Sequence, residues 1–187
     1  MDQRDAAGIA AILDRDLRAL GRELEAYPDE QGIWRELPGV PNSAGTLALH
    51  LAGNLQHYIG ARLAGTGYLR DRDAEFARRD VPRVELLAEV ERARAAVGAG
   101  LAALEPAALE RDYPEMVAQS RVRTGDYLIH LCTHFAYHLG QVDVHRRVVT
   151  GGSPGIGAVQ AAELGSAPRG DLSRRAALTP RGRTDAR

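Results

Sequence analysis

The chain contains no lysine: all 24 of its basic residues are arginine. It has a single cysteine, one tryptophan, two phenylalanines and two methionines among 187 residues. One cysteine, Cys132, excludes an internal disulfide framework and fits a reducing compartment. No apolar run approaches the roughly 18 residues that a membrane span requires, and the opening MDQRDAAGIA lacks the basic-then-apolar order of a secretory signal. A cytoplasmic protein is expected. The net charge of −1 builds in no global attraction to nucleic acid or to an acidic membrane. Missing lysine, beside abundant Ala, Gly, Asp and Glu, reads as the coding bias of a GC-rich bacterial genome. No Glu-x-x-His pair occurs, which removes carboxylate-bridged di-iron bundles from consideration. GGSPGIG follows a helix pattern and no strand, so it fails the context test for a phosphate loop.

Apolar residues make up 44% of the chain and charged residues 26%, as in ordinary globular domains, and the length suits one core better than two. Four long stretches carry helical periodicity and none reads as a strand. The first spans about 2–26, with Ile9, Ile12, Leu13, Leu17, Leu20 and Leu24 on one stripe; YPDE ends it. An irregular link, 32–41, holds Trp34. The second helix starts after Asn42 or Ser43 as cap and stops at Gly65 and Gly67. Residues 66–81 form a charged connection anchored by Tyr68 and Phe76, long enough to cross from one end of a bundle to the other. In it, RDRDAEFARRD reads as a solvated face. The third helix runs from Pro82 to about Leu104 and the fourth from about Thr124 to Gly151, with a connection broken by Pro106 and Pro114 between them. These elements predict an all-α helical bundle over 1–152, a short extension over 153–165, and a disordered arginine-rich tail over 166–187, too poor in large apolar residues to join a core.

The last helix carries LIHLCTHFAYHLGQV. At about 100° per residue with His130 as origin, His134 lies near 40° and His138 near 80°, beside a core face made by Leu128, Leu131, Phe135, Leu139 and Val142. Gln141, His145 and Tyr127 share that stripe, whereas Cys132, near 200°, points away from it as a small buried hydrophobe. Residues four apart have Cβ atoms about 5–6 Å apart, so two imidazoles there can converge on one ion. HFAYH lacks the glutamate of HExxH helices, and so carries two ligands without a built-in base. In LALHLAGNLQHY, His50 and Asn54 border a core face in the same way. If the two helices are neighbours, His50 completes a set of three nitrogens with positions left open, the pattern of a catalytic site. Spacing alone leaves a hydrogen-bonded polar edge open beside the metal reading.

LxLHLAGN, a connection of the RDRDAEF kind and the ending HxxxHxGQ together resemble the DinB-like (damage-inducible protein) superfamily over roughly residues 5–150. The resemblance implies a four-helix bundle of up-down-down-up topology, with the long crossover between helices 2 and 3. It implies a divalent metal ion, zinc or nickel, held by His50, His134 and His138. Gln141 matches the family's glutamine and, with Asn54 of LHLAGN, falls in a supporting shell; His57, His130 and His145 match no ligand position. Homodimers are common in the superfamily. Its characterised relatives include bacillithiol and mycothiol S-transferases and a mycothiol-dependent isomerase. The function implied is a metal-dependent, thiol-dependent transferase or hydrolase acting on a small molecule, with no catalytic base assigned. From another class, a non-catalytic dimeric bundle that binds metal or ligand fits the same residues. No DNA-recognition motif or basic face supports work on nucleic acid.

Overall fold

Apolar residues recur every three or four positions along four stretches, and each is helical in the computed structural model, which describes residues 3–152 and 154–164. Helix α1 spans Gln3–Glu25. A five-residue helix, α2, spans Glu30–Trp34, and α3 spans Ala44–Leu55. The chain continues through a π-helical segment, Gln56–Ala61, into the short α4, Arg62–Ala64. Then follow α5, Arg72–Ala77, α6, Arg83–Ala102, and α7, Thr124–Thr150. Two 3₁₀ turns lie at Pro106–Glu110 and Ala161–Leu164. Among the described residues there are isolated bridges but no strand, and no helix is long and apolar enough to cross a membrane. The tail predicted over 166–187 lies outside the described residues. Of the 153–165 extension, the Ala161–Leu164 turn rests on α1, where Arg22 pairs with Glu163 at 3.2 Å.

The stripes meet as the periodicity requires. α1 lies against α6 and α7, and α3 lies against the same two helices. Leu13, Leu17, Leu20 and Leu24 of α1 are fully buried against Leu86 and Val90 of α6 and Leu128, Phe135 and Val142 of α7. Each such side chain contributes roughly 1.5–3 kcal/mol by leaving water. Ser43 is the residue that caps α3, its Oγ accepting from Thr46 N at 3.2 Å. Gly151 ends α7 in the left-handed conformation (φ 75°). Pro82 stands at the cap of α6, one residue earlier than its predicted place inside the helix.

Two local features depart from the periodicity. The link around Trp34 is not irregular throughout: Asp29 Oδ1 accepts from Gly32 N at 2.7 Å and starts α2. The Trp34 indole, which donates to Val81 O at 3.2 Å, then pins that helix to the bundle. The second departure is the π-helical segment, where hydrogen bonds of i→i+5 type widen the turn. It sits where the chain after α3 crosses close against α6. A Cβ on Gly100 would stand 2.5 Å from Ile59 Cγ2 and 2.8 Å from Ile59 O, a backbone atom that cannot swing aside. Gly100→Ala is therefore expected to lower unfolding stability by about 1–3 kcal/mol in a urea titration, although Ala is the better helix former. An equal or higher midpoint would contradict this close crossing.

Candidate metal centre

Helices α3 and α7 face each other in the bundle, so the polar border of each apolar stripe meets the other's. His50 comes from the middle of α3, and His134 and His138 from consecutive turns of α7. Each offers a ring nitrogen, and these three atoms all lie within 4.8 Å of one another. The His50 and His134 Nε2 atoms stand 3.4 Å apart. Two nitrogens that each sit about 2.0–2.1 Å from a tetrahedral ion are separated by roughly 3.4 Å. The His50 ring lies nearly edge-on to both partners, at 79° to His134 and 89° to His138.

Hydrogen bonds behind the rings decide which nitrogen is free. His138 Nδ1 lies 2.7 Å from Gln141 Oε1, an atom that only accepts, so Nδ1 carries the proton and Nε2 keeps its lone pair. His50 Nδ1 lies 3.1 Å from Glu75 Oε2 and donates to it, which again leaves Nε2 as the free donor atom. Glu75 is fixed in turn by Arg70, whose Nε and Nη2 reach its two oxygens at 2.7 and 2.8 Å. The bidentate pair holds the carboxylate plane in place. Burial pushes the Glu75 carboxyl up, but its bonds to Arg70 and His50 outweigh this and its pKa lies below the ordinary value. Burial, helped by the neighbouring His138, His50 and His130, pushes the His134 imidazole down to about 4. Burial lowers His138 as well, against the opposing bond to Gln141. His134 and His138 are therefore neutral at pH 7, the state a metal ion requires of imidazole. Neutral nitrogens, a matching spacing and anchored tautomers make this donor set fit a divalent ion.

The reading of RDRDAEFARRD as a solvated face is corrected at Glu75, which is 6% exposed on the inner side of α5. Gly53 is what admits it, since a Cβ there would collide with Glu75 Oε1. Phe76 of the same helix packs its ring 4.9 Å from that of His50. A glycine in the middle of an otherwise regular helix was the one sequence signal that something passes close to that face.

The other histidines are engaged elsewhere. His145 is buried and receives the Tyr27 hydroxyl on Nδ1 at 2.7 Å while its Nε2 donates to Arg35 O at 2.8 Å, tying α7 to the chain around α2. His57 faces Glu115 at 3.2 Å. His130 is exposed and stacks between Tyr127 and His134 at the cleft rim. Asn54 is 7% exposed, and its Oδ1 has no hydrogen-bond partner among the described residues. Cys132 is buried with its thiol pushed up to about 12 by burial, so it takes no part in the site's chemistry.

The three converging nitrogens open into a cleft of about 520 Å³ whose walls include Asn54, Tyr58, Arg70, Arg72, Phe76 and Tyr127. Val117 and Ala118, from the connection before α7, close its far side. Curated proteins and solved structures give no match to this chain. A family description does: that of the DinB superfamily matches residues 12–142, which include all three histidines and the helices that bring them together, and the chain belongs to that superfamily.

Proposed function

We propose that the chain is a metal-dependent enzyme acting on a small molecule, a transferase or hydrolase that uses a low-molecular-weight thiol as co-substrate. His50, His134 and His138 hold a divalent ion, zinc or nickel. The observation that carries this reading is the pair of anchored tautomers, which leaves the Nε2 atoms of His50 and His138 free beside His134. When bound, such an ion acts as a Lewis acid and lowers the pKa of a water or thiol at its open position. The chain's own residues do the rest. Glu75 and Gln141 orient two of the rings, Arg70 steadies Glu75, and Asn54 stands in the wall as a supporting polar group. Belonging to the DinB superfamily supports an up-down-down-up bundle that works as a cytoplasmic homodimer, with residues 1–152 as the folded unit and the segment beyond it as an appendage.

A second reading is favoured by one feature: no carboxylate lines the cleft among the described residues, so no side chain there is placed as a carboxylate base. On that reading the bundle binds a metal or a small ligand without turnover. The zinc- or nickel-loaded protein, incubated with bacillithiol or mycothiol and a chloronitrobenzene electrophile, separates the two. Turnover that needs both metal and thiol, and that disappears in His134→Ala, supports the enzyme. A metal-dependent rise in Tm with no turnover on any thiol supports the binding module.

A further inference from the structure

The cleft's walls are uneven in charge. Arg70 and Glu75 neutralise one another. Arg72 does not belong to that pair: its guanidinium lies 4.9 Å over the Phe76 ring and makes no ion pair among the described residues. Asp71 is occupied at the cap of α5, where it accepts from Ala74 N at 2.9 Å, and neither Asp71 nor Asp73 lines the cleft. Phe76 in turn packs on His50, so the guanidinium stands two ring contacts from the nitrogens that face the ion. Stacking on an aromatic ring fixes a guanidinium's plane and leaves its edge N–H groups free for an oxyanion.

Resting on the metal reading of the cleft, we infer that its ligand is a small carboxylate. One end reaches the ion, and the carboxylate pairs with Arg72. The cleft selects for negative charge, because the metal, the free guanidinium and the absence of lining carboxylates among the described residues all act in the same direction.

Cobalt(II) in place of the native ion gives a direct readout, since sulfur ligation adds an intense charge-transfer band. The protein is first loaded with cobalt and then titrated with ω-mercaptoalkanoates and with mercaptoalkanols of the same chain length. The best-fitting carboxylate is expected to bind about tenfold tighter than its matched alcohol. Arg72→Gln should cut that preference to about twofold while leaving alcohol binding unchanged, and Arg72→Glu should reverse it. Arg72 is exposed, so both variants keep the fold. Cobalt uptake with no carboxylate preference, or with a preference indifferent to Arg72, overturns the carboxylate assignment alone. A chain that takes up no cobalt overturns the metal reading and this inference with it.

Discussion

Replacing His134 with alanine is expected to weaken metal binding by more than about 100-fold, because loss of an outer-shell partner alone reaches that range and here a ligand itself is removed. The same loss is expected from His50→Ala and His138→Ala, since each removes one of three converging nitrogens. Competition against a chromophoric chelator reads the affinity, and near-ultraviolet circular dichroism reads the fold. The fold should persist in His134→Ala and His138→Ala, whose side chains are only half-buried at the cleft wall. Two further histidines serve as internal controls. His130→Ala should leave affinity within about threefold, because a stacked rim residue gives the ion no nitrogen. His145→Ala should leave affinity near wild type but destabilise the protein by about 1–3 kcal/mol, because it strands the Tyr27 hydroxyl and a buried carbonyl. Unchanged affinity in all three ligand variants would reduce the cluster to a polar edge in which His134 Nε2–H donates to His50 Nε2.

The second large effect is expected at Glu75, which holds the His50 ring from behind without reaching the ion itself. Glu75→Gln keeps the shape of the side chain and removes its charge. The His50 Nδ1–H then donates to a neutral amide oxygen or faces an amide NH₂, so its ring is held less firmly. Metal affinity should fall by about 10–100-fold. Arg70, whose side chain is 10% exposed, loses the one carboxylate it pairs with among the described residues. Breaking one partner out of such a pair costs about 3–5 kcal/mol, and the amide's remaining hydrogen bond should hold the loss near the low end. Gly53→Ala should act in the same direction by pushing the carboxylate aside. A urea titration of metal-free protein and a chelator competition on loaded protein separate the two effects. If Glu75→Gln leaves both unchanged, the carboxylate is not what orients His50.

The bundle was readable because its core obeys a local rule. Leu13, Leu17, Leu20 and Leu24 repeat at helical spacing, as do Leu47, Leu51 and Leu55, and all are buried where that spacing places them. His134, His138 and His50 were readable for the same reason, as polar residues beside an apolar stripe. What was not readable depends on tertiary approach. The π-helical turn at Gln56–Ala61 has no local signature in QHYIGA; it lies where Gly100 lets α6 come against Ile59. Short α2 begins only because Asp29 folds back onto Gly32 within a stretch otherwise marked by breakers. Glu75 was hidden because a charge-dense run looks the same whether one of its carboxylates faces water or a histidine. His145 fell on the same stripe as the ligands, yet its partners come from Tyr27 and Arg35, more than a hundred residues away in sequence, which no periodicity reveals.

The central claim is that three histidines from two helices hold a metal ion. Metal content of the untagged protein, purified without chelators and read by mass spectrometry, tests it most directly. The arrangement of His50, His134 and His138 predicts about one divalent metal ion per chain. A chain that carries no metal, and takes none up when zinc and nickel are titrated in, would contradict the claim.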